Sequence, residues 1–537
     1  MRIPIQNINF GGLSDGKYQG IKNSFYRDSG IDIHGEPGII KANQKMKKSA
    51  YLAGQFTSPV VAFVDCTNGY LYGFEQNGKI WYYNGVNWTL AYSSNLTGVM
   101  NAYEYDGYIY VANAASLRRV KVSGLAWAGI DSAYATFGKG NTSYKPMYGK
   151  NLTLYIGDGN FVSCVEQYEF SAKGTISASG TAVTGVSTDF TNEVKAGDTL
   201  TYYDMYNVPY TAVVQSVGSA TALTLVSGFS TAPTAKLFKV KSTVFSPNAL
   251  DLDEKYTITS FYEADTDLVI GTTVSAGSVE CEIFRWNTYS STWTNSDRVP
   301  ENMISAFLPM DNSIIALCGN KGQIYSYNGQ IMAQFKRIFA DWTGTNSMKT
   351  YANATTMNNG LPVFGLSVDA GTPGVPAGIY SLGGYSVNYP KVLNLEYVLS
   401  PVNQSALQIY AMTTHLGVLL VSWFDGTNYG TDELDPSNRQ ITTNFETMMV
   451  NVSREYLKTA SIKVFYRSIP PTTFVKVYTS VNYGNYTELT MTTDDIRKIL
   501  ESEVDIADNA ILQVKVEFTS SGNYSPEIEG FEIITQP

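Results

Sequence analysis

The sequence predicts an all-β chain organised around a β-propeller, and three observations carry that prediction. The first is composition: 39 Tyr, 24 Phe and 7 Trp stand among 537 residues of which only 16% are charged. Aromatic and β-branched side chains suit pleated, half-buried surfaces, and no long helical heptad pattern competes with them. The second is punctuation. Between Gly69 and Ser94 short alternating apolar runs are separated by Asn77-Gly78 and Asn84-Gly85. Asn-Gly tolerates positive φ, so the stretch predicts two consecutive hairpins with tight type I′ turns. The third is recurrence. The unit of short strands, an aromatic-x-aromatic and a Gly turn returns about every 40 to 50 residues, the period of propeller blades.

Residues 1–49 form a polar, Gly-punctuated leader. Ile31-Asp32-Ile33 and Gly38-Ile39-Ile40 flank a turn at His34-Gly35-Glu36-Pro37-Gly38. This predicts an extended N-terminal arm, one that lies along other chains or closes a β unit. Its basic end, Lys41, Lys45, Lys47 and Lys48, is a solvated stretch or a contact with an acidic partner.

The meander at Gly69–Ser94 has its first echo at Ala102–Val122 around Asp106-Gly107. The next, Lys150–Phe170, is centred on Gly157-Asp158-Gly159. The pattern returns over Thr257–Ser296 and Met303–Phe335, with weaker copies at Leu361–Gly384 and Leu407–Leu434. A propeller of six or seven blades over 50–173 and 241–450 accounts for these, because ring closure leaves no long exposed sheet edge. Unrelated meanders or an array of β-sandwiches are the alternative.

Between 174 and 240 the pattern breaks. Aromatics thin out, Ser, Thr, Ala and Val dominate, and Val213, Gln215 and Val217 alternate before Leu223 and Leu225. This predicts a small inserted β-barrel at a propeller loop, where an insertion costs little if its ends are close. Residues 451–537 predict a C-terminal β-sandwich, from paired strands at Val464 and Tyr466, Val475 to Tyr478, and Val514 and Val516. Thr492 with Asp495 ahead of Ile496, Ile499 and Leu500 predicts one short helix there.

The chemistry the sequence offers is sparse. His34 and His415 are its two histidines, and both read as structural. Cys66, Cys164, Cys281 and Cys318 have no metal-ligand or redox spacing and read as buried thiols. No phosphate loop, zinc-protease, serine-hydrolase or EF-hand pattern occurs. Asp425-Gly426-Thr427-Asn428 with Asp432, Glu433 and Asp435 offers oxygen ligands for calcium or, alternatively, a solvated acidic loop. A glycosidase needs two facing carboxylates. Asp265, Asp267, Asp311 and Asp369 lie near predicted turns, but spacing brings no two together. Ser290-Ser291-Thr292-Trp293 lacks the Asp and Gly of a sialidase turn. Tyr202, Tyr203, Tyr206, Trp286 and Trp293 could stack on sugars or serve as strand-pair residues. The sequence therefore assigns no catalytic, cofactor-binding or metal residue and predicts no enzyme. A net charge of −10 argues against a sequence-reading DNA binder, which needs a basic stripe. No apolar run is long enough to span a bilayer, and the N-terminus lacks a signal-peptide core.

The run GTISASGTAVTGVSTDFTNEVKAGDTL, continuing to YTAVVQSVGSATALTLVSGFS, resembles a small barrel module of tail and capsid proteins of tailed phages. Its pattern is a GT start, a second GT/TG repeat, F-x-x-x-V-x-x-GD and a V-x-S-V…T-x-L-T-L close. Phe190, Val194, Gly197, Asp198, Leu223 and Leu225 match those positions. The segment NFGGLSDGKYQGIKNSFYRDSGIDIHGEPG likewise resembles openings of phage virion proteins in which such a segment precedes a propeller. The resemblance implies a virion protein assembled in the host cytoplasm, similar to the tail nozzle of short-tailed phages. It implies a homo-oligomeric ring, a hexamer, that continues the DNA channel, gates DNA exit and docks fibres. Its partners would be other tail proteins (an adaptor ring, tail fibres), with double-stranded DNA passing through the lumen without sequence-specific binding and no membrane insertion. The rival expectations are a receptor-binding or fibre-adaptor protein holding a host surface glycan, and a glycan-degrading propeller enzyme.

Overall fold

The computed structural model describes residues 2–6, 11–14, 16, 23–49, 55–122, 127–140, 144–274, 279–308, 310, 313–329, 331–338, 347–369, 377–384, 390–401, 403–452, 459–506 and 510–536. Among them seven antiparallel blades follow one another as a propeller: five are sheets of four strands, the third is part of a nine-stranded sheet, and the sixth has five strands because its first is interrupted. In the first, Val60–Asp65, Leu71–Glu75, Lys79–Tyr83 and Trp88–Ser93 run from the axis outward. Blades two to six span 101–136, 147–251, 256–299, 304–337 and 348–397, and blade seven begins at Gln408–His415. First strands of neighbouring blades touch around the whole ring, the seventh meeting the first.

The outermost strand of blade seven is Gln44–Lys48, from the opposite end of the sequence, paired with Tyr429–Arg439. Its register sets Lys48, Lys47 and Lys45 opposite Asp432, Glu433 and Asp435. Met46 faces Leu434 between them, both buried. Lys47 Nζ lies 3.2 Å from Glu433, and Lys48 Nζ stands 5.6 Å from the Trp423 ring. The basic end of the arm thus meets its acidic partner inside its own chain. The same pairing disperses the calcium reading, because the Asp425 carboxylate only caps its own turn, accepting from Thr427 N and Asn428 N at 3.0 and 2.7 Å.

The arm does more than close the ring. Arg2–Gln6 pairs with Glu527–Gln536 in one sheet of the C-terminal sandwich. Phe25–Asp28 pairs with Thr442–Thr447 in the other, so the sandwich draws strands from outside 451–537. Ile40 and Ile528 exchange both backbone bonds at 2.9 Å, and Leu13 N donates to Leu393 O of blade six at 2.8 Å. Phe25, Ile31, Ile33 and Ile40 are buried in a core shared with blades five to seven and the sandwich.

The helix expected near 492–500 is absent, and those residues form a hairpin of Thr492–Asp494 and Ile499–Asp505. Asp494 accepts from Ile496 N and Arg497 N in the turn, and Leu500 pairs with Val464 on the neighbouring strand. Ile496 is almost fully exposed, so a helix there would have gained no apolar face, and the sheet partner wins. The one short α-helix among the described residues is Phe190–Glu193, inside the insert.

The insert grows from blade three. Its third and fourth strands, Phe161–Ser171 and Phe238–Asp251, extend outward as a ladder that Ser171 and Lys239 end. From Phe238–Asp251 the sheet continues through Thr199–Tyr203, Pro209–Ser219, Ala222–Leu225, Ala182–Val186 and Thr175–Ser179. Ile176 exchanges two backbone bonds with Lys236 (2.8 and 3.0 Å), curling the last strand back to the first. Inside lie Phe190, Val194, Leu200, Val214, Leu223, Leu225 and Phe238. Ala212 and Val214 are the buried side chains of Pro209–Ser219, and Val217 packs against the same core, so the expected alternation holds at Val217 but not at Val213, the register shift after Val214 changing which side chains face in.

Candidate functional site

A propeller offers two places for function, its axis and the loops at its two ends. The axis is bridged. The first strand of blade six is interrupted between Met348–Lys349 and Thr355–Asn358, and the intervening segment carries Asn353. Asn353 Nδ2 donates to Val61 O of blade one and Asn101 Oδ1 of blade two, both at 2.8 Å. Tyr144, just ahead of blade three, donates its hydroxyl to Asn353 Oδ1 at 2.5 Å, and Met412 N of blade seven donates to Asn353 O at 2.8 Å. One asparagine therefore ties five blades together, and burial pushes the Tyr144 phenol well above its usual range.

Around this plug, buried carboxylates fasten incoming segments to blades. Glu75 accepts from Thr57 N, Ser58 N and the Trp81 indole at 2.7, 2.8 and 2.8 Å. Asp432 repeats the arrangement in blade seven, accepting from Ser400 N, Ser400 Oγ and the Trp423 indole at 2.6, 2.6 and 2.8 Å. Burial raises the Asp432 pKa. Asp158 accepts from Lys139 N at 2.7 Å and pairs with Lys145 Nζ at 2.6 Å, neither side chain having any exposure. Burial pulls the Lys145 ammonium below the usual lysine value, against the pull of Asp158. Their oxygens are taken by these donors, which suits them to holding loops and not to acid–base chemistry.

The sequence-predicted residues are similarly engaged. His415 Nδ1 lies 2.8 Å from Asp65, joining blade seven to blade one. Asp265 and Asp267 share the Arg285 guanidinium, at 3.7 and 3.1 Å. Asp369 accepts from the Ser347 hydroxyl, and Asp311 lies outside the described residues. The structure thus pairs two of the four carboxylates, but across an arginine. All four cysteines are buried and free, and burial pushes Cys164 and Cys281 up to about 12. Tyr202 and Trp286 are buried strand residues, Tyr202 stacked on Tyr210 at 5.1 Å. Trp293 sits edge-on to Phe284, Tyr203 is at the surface near Lys239, and Tyr206 is exposed. Among the described residues no cluster of His, Cys, Asp or Glu has the makings of a metal site.

One end of the propeller differs from the other. It carries the turns between first and second strands, the insert and the exit to the sandwich. Asp106, Asn151, Asp265, Asn359 and Leu416 occupy matching turn positions there, all left-handed with φ between 49° and 54°. Asp and Asn tolerate that conformation, whereas Leu is strained in it by about 1–2 kcal/mol. Leu416 is also 83% exposed. Leu152, Tyr70, Met357, Ile331 and Tyr289 are further exposed apolar residues at this end. On the insert, Asp204 Oδ1 accepts from Tyr206 N and Val208 N and fixes a turn that displays Met205 at 82% and Tyr206 at 80% exposure. Leu416→Asn is expected to raise unfolding stability by about 1 kcal/mol, read as a higher denaturant midpoint. An unchanged or lower midpoint would show that Leu416 makes a contact of its own within the chain.

Neither the carboxylate–indole latches nor the Asn353 plug was anticipated from sequence. The available signal was a Trp within nine residues of an acid on an adjacent predicted strand, as in Glu75 with Trp81 and Trp423 with Asp432.

No family model and no curated protein matches the chain. Solved structures align with it at low similarity. The computationally designed Ika8 protein matches with a TM-score of 0.36 at 11% identity, over 87% of this chain and 99% of that one. The Cps50 (Swd1) β-propeller domain of Myceliophteria thermophila gives 0.36 at 8% identity, over 71% and 97%. An exo-β-1,3-galactanase from Phanerochaete chrysosporium gives 0.26 at 9% identity, over 75% and 99%. The propeller assignment rests on the sheet order above, and no function is carried over from these proteins.

Proposed function

We propose that this chain is a structural subunit of a tailed-phage tail, a ring-forming nozzle or tube protein through whose assembly DNA leaves the particle. The observation that carries this reading is the insert. Every residue matching the phage module has a structural task in it: Phe190, Val194, Leu223 and Leu225 are core. Gly197 has φ +92°, and Asp198 accepts from Lys195 N and Ser242 Oγ at 2.7 Å each, fixing the turn into the next strand. The residues that carry the resemblance are thus also those that hold the insert together, which supports the reading.

The bridged axis constrains the mechanism. With Asn353 spanning from blade one to blade three, the propeller's own channel does not pass a duplex, so a lumen lies between subunits of the ring. The end bearing Leu416, Leu152 and the insert tip supplies contacts to neighbouring subunits, fibres or an adaptor ring. An acidic chain suits a wall past which phosphates move without being held. Release follows from rearrangement of loops facing that lumen, and no catalytic residue is required.

Electron microscopy of the purified protein and of particles containing it tests this. The expected result is a closed ring of six copies coaxial with the tail. Copies at the tail periphery, in threes or alone, would replace the nozzle with a receptor-binding role.

A further inference from the structure

Two exposed apolar patches lie at the end of the propeller that carries the insert, on opposite sides of the ring of blades. The first is the insert tip. Tyr202, Tyr210 and Phe238 stand in one row of the ladder and face the insert core. One step on, Tyr203, Pro209 and Leu237 therefore face outward, and all three are exposed. Met205 and Tyr206 stand beyond them on the turn that Asp204 fixes. The charges beside this patch are engaged within the chain: Asp204 accepts from its own turn, and Lys239 Nζ lies 3.7 Å from Glu169. A contact made here buries apolar surface without taking an unpaired charge out of water.

The second patch lies where blades six and seven meet. Thr414 Oγ1 donates to Met357 O at 2.8 Å, so the first strands of the two blades end side by side, and Leu416 and Met357 are both exposed there. Leu416 holds a left-handed backbone without the polar side chain that eases it at the matching turns. Strain and exposure together cost stability in the isolated chain, and a contact outside the chain offsets that cost.

The placement of the patches selects the partner. In a ring of seven blades, blade three and the boundary of blades six and seven are half a turn apart. Two unlike patches on opposite sides of one chain are what a head-to-tail contact between copies requires, since each copy then gives one patch and receives on the other. A fibre or an adaptor needs only one of them, and a tip-to-tip contact leaves Leu416 in water. We propose that the insert tip of one copy docks on the Leu416–Met357 patch of the next copy. This rests on the ring-forming reading above and names the contact that builds the ring.

Sedimentation velocity on the full chain tests it with two variants. Met205→Asp with Tyr206→Asp alters the tip, and Leu416→Asp alters the receiving patch. All three positions are exposed, and Asp already occupies the matching turn of blades two and four. The parent is expected to sediment as a closed ring, and each variant alone to associate at least about tenfold more weakly. An equimolar mixture of the two is expected to form heterodimers but no rings, because one intact contact remains between them. Met205→Cys and Leu416→Cys chains, mixed and oxidised, are expected to crosslink to each other and not to themselves, the native cysteines being buried. This pair of single exposed substitutions carries the test if an aspartate variant fails to fold. The proposal is overturned if the aspartate variants form rings as the parent does, if the Met205→Cys chain crosslinks to itself instead, or if no crosslink between the two chains forms. Rings that persist in the variants leave the nozzle reading standing on another interface. A head-to-tail crosslink from a protein that microscopy places off the tail axis upholds the contact and removes the nozzle reading.

Discussion

Asp158→Ala is expected to cost about 3–5 kcal/mol of stability, the typical penalty for stranding one partner of a buried ion pair. Both side chains are fully buried 2.6 Å apart, so no solvent takes over when the carboxylate is removed. Lys139 N loses its acceptor as well. The Phe137 ring, 4.9 Å from Lys145 Nζ, remains as a weak counterpart for the ammonium. A loss of that size is a large share of the roughly 5–15 kcal/mol that holds a domain together. The variant also gains a characteristic pH dependence. Removing Asp158 drops the folded-state pKa of Lys145, already lowered by burial, further below its unfolded value near 10.5. Between those two values the unfolded chain binds the extra proton, so stability rises with pH through that window and the defect is worst on its acidic side. The double variant Lys145→Met/Asp158→Leu removes both charges and is expected to recover most of the loss. Denaturant titration from pH 7 to pH 10, with hydrogen exchange reporting on blade three, measures all three chains. A single variant within 1 kcal/mol of the parent, or one as unstable at pH 10 as at pH 7, would mean that Lys145 reaches another compensating charge.

The blades were legible because each is local. A hairpin needs an apolar alternation and a turn residue, and Tyr103, Tyr105, Asp106-Gly107 and Tyr108 supply both within six residues. Asp106 and Gly107 indeed adopt the two positive φ angles of a type I′ turn. At Asn77-Gly78 and Asn84-Gly85 the hairpins form but only the glycines are left-handed, because the loops have three and four residues. Gly78 is also required by space, since a Cβ there would meet Leu96 O at 2.0 Å. Turn chemistry thus located the hairpins without fixing their type. In the third blade the turn falls one residue beyond the expected centre, at Gly159-Asn160. Asp158 instead ends a strand and looks inward to Lys145, thirteen residues away, a pairing that no local pattern records.

What was illegible is long-range. Thr492 and Asp495 carry a valid local helix signal, yet the strand at Thr459–Ser468 offers a ladder that the signal does not contain. Asn353 is one polar residue in a weak stretch, and its task emerges only when five blades converge. The seat of His34 had no sequence signature at all: its Nε2 comes within 3.1 Å of Ser381 Oγ, beside Glu396, only because the arm folds back onto blade six. The acidic run Asp432–Asp435 and the basic run Lys45–Lys48 were each visible, while their pairing across nearly four hundred residues was not.

That pairing makes the arm the second point of largest expected effect. Removing residues 1–49 takes Phe25, Ile31, Ile33, Ile40 and Met46 out of the core. At about 1.5–3 kcal/mol for each buried side chain the loss exceeds about 7 kcal/mol, enough to unfold a typical domain. It also leaves blade seven with an open edge at Tyr429–Arg439 and strips one strand from each sheet of the sandwich. The truncated chain is therefore expected to aggregate through those edges. Removing residues 1–29 separates the two tasks: blade seven keeps Gln44–Lys48 and stays closed, while the sandwich loses both borrowed strands. Limited proteolysis is then expected to cut within 442–536 and spare 55–439. Equal cleavage of both regions would mean that the propeller depends on a complete sandwich and that the arm is no independent latch. Charge reversal isolates the latch itself. Lys47→Glu sets two carboxylates opposite each other at Glu433, and Glu433→Lys in the same chain restores the pair in reverse. Recovery in the double variant, weakening as salt is raised, would show that charge complementarity selects the register by which the first strand of the ring finds the last.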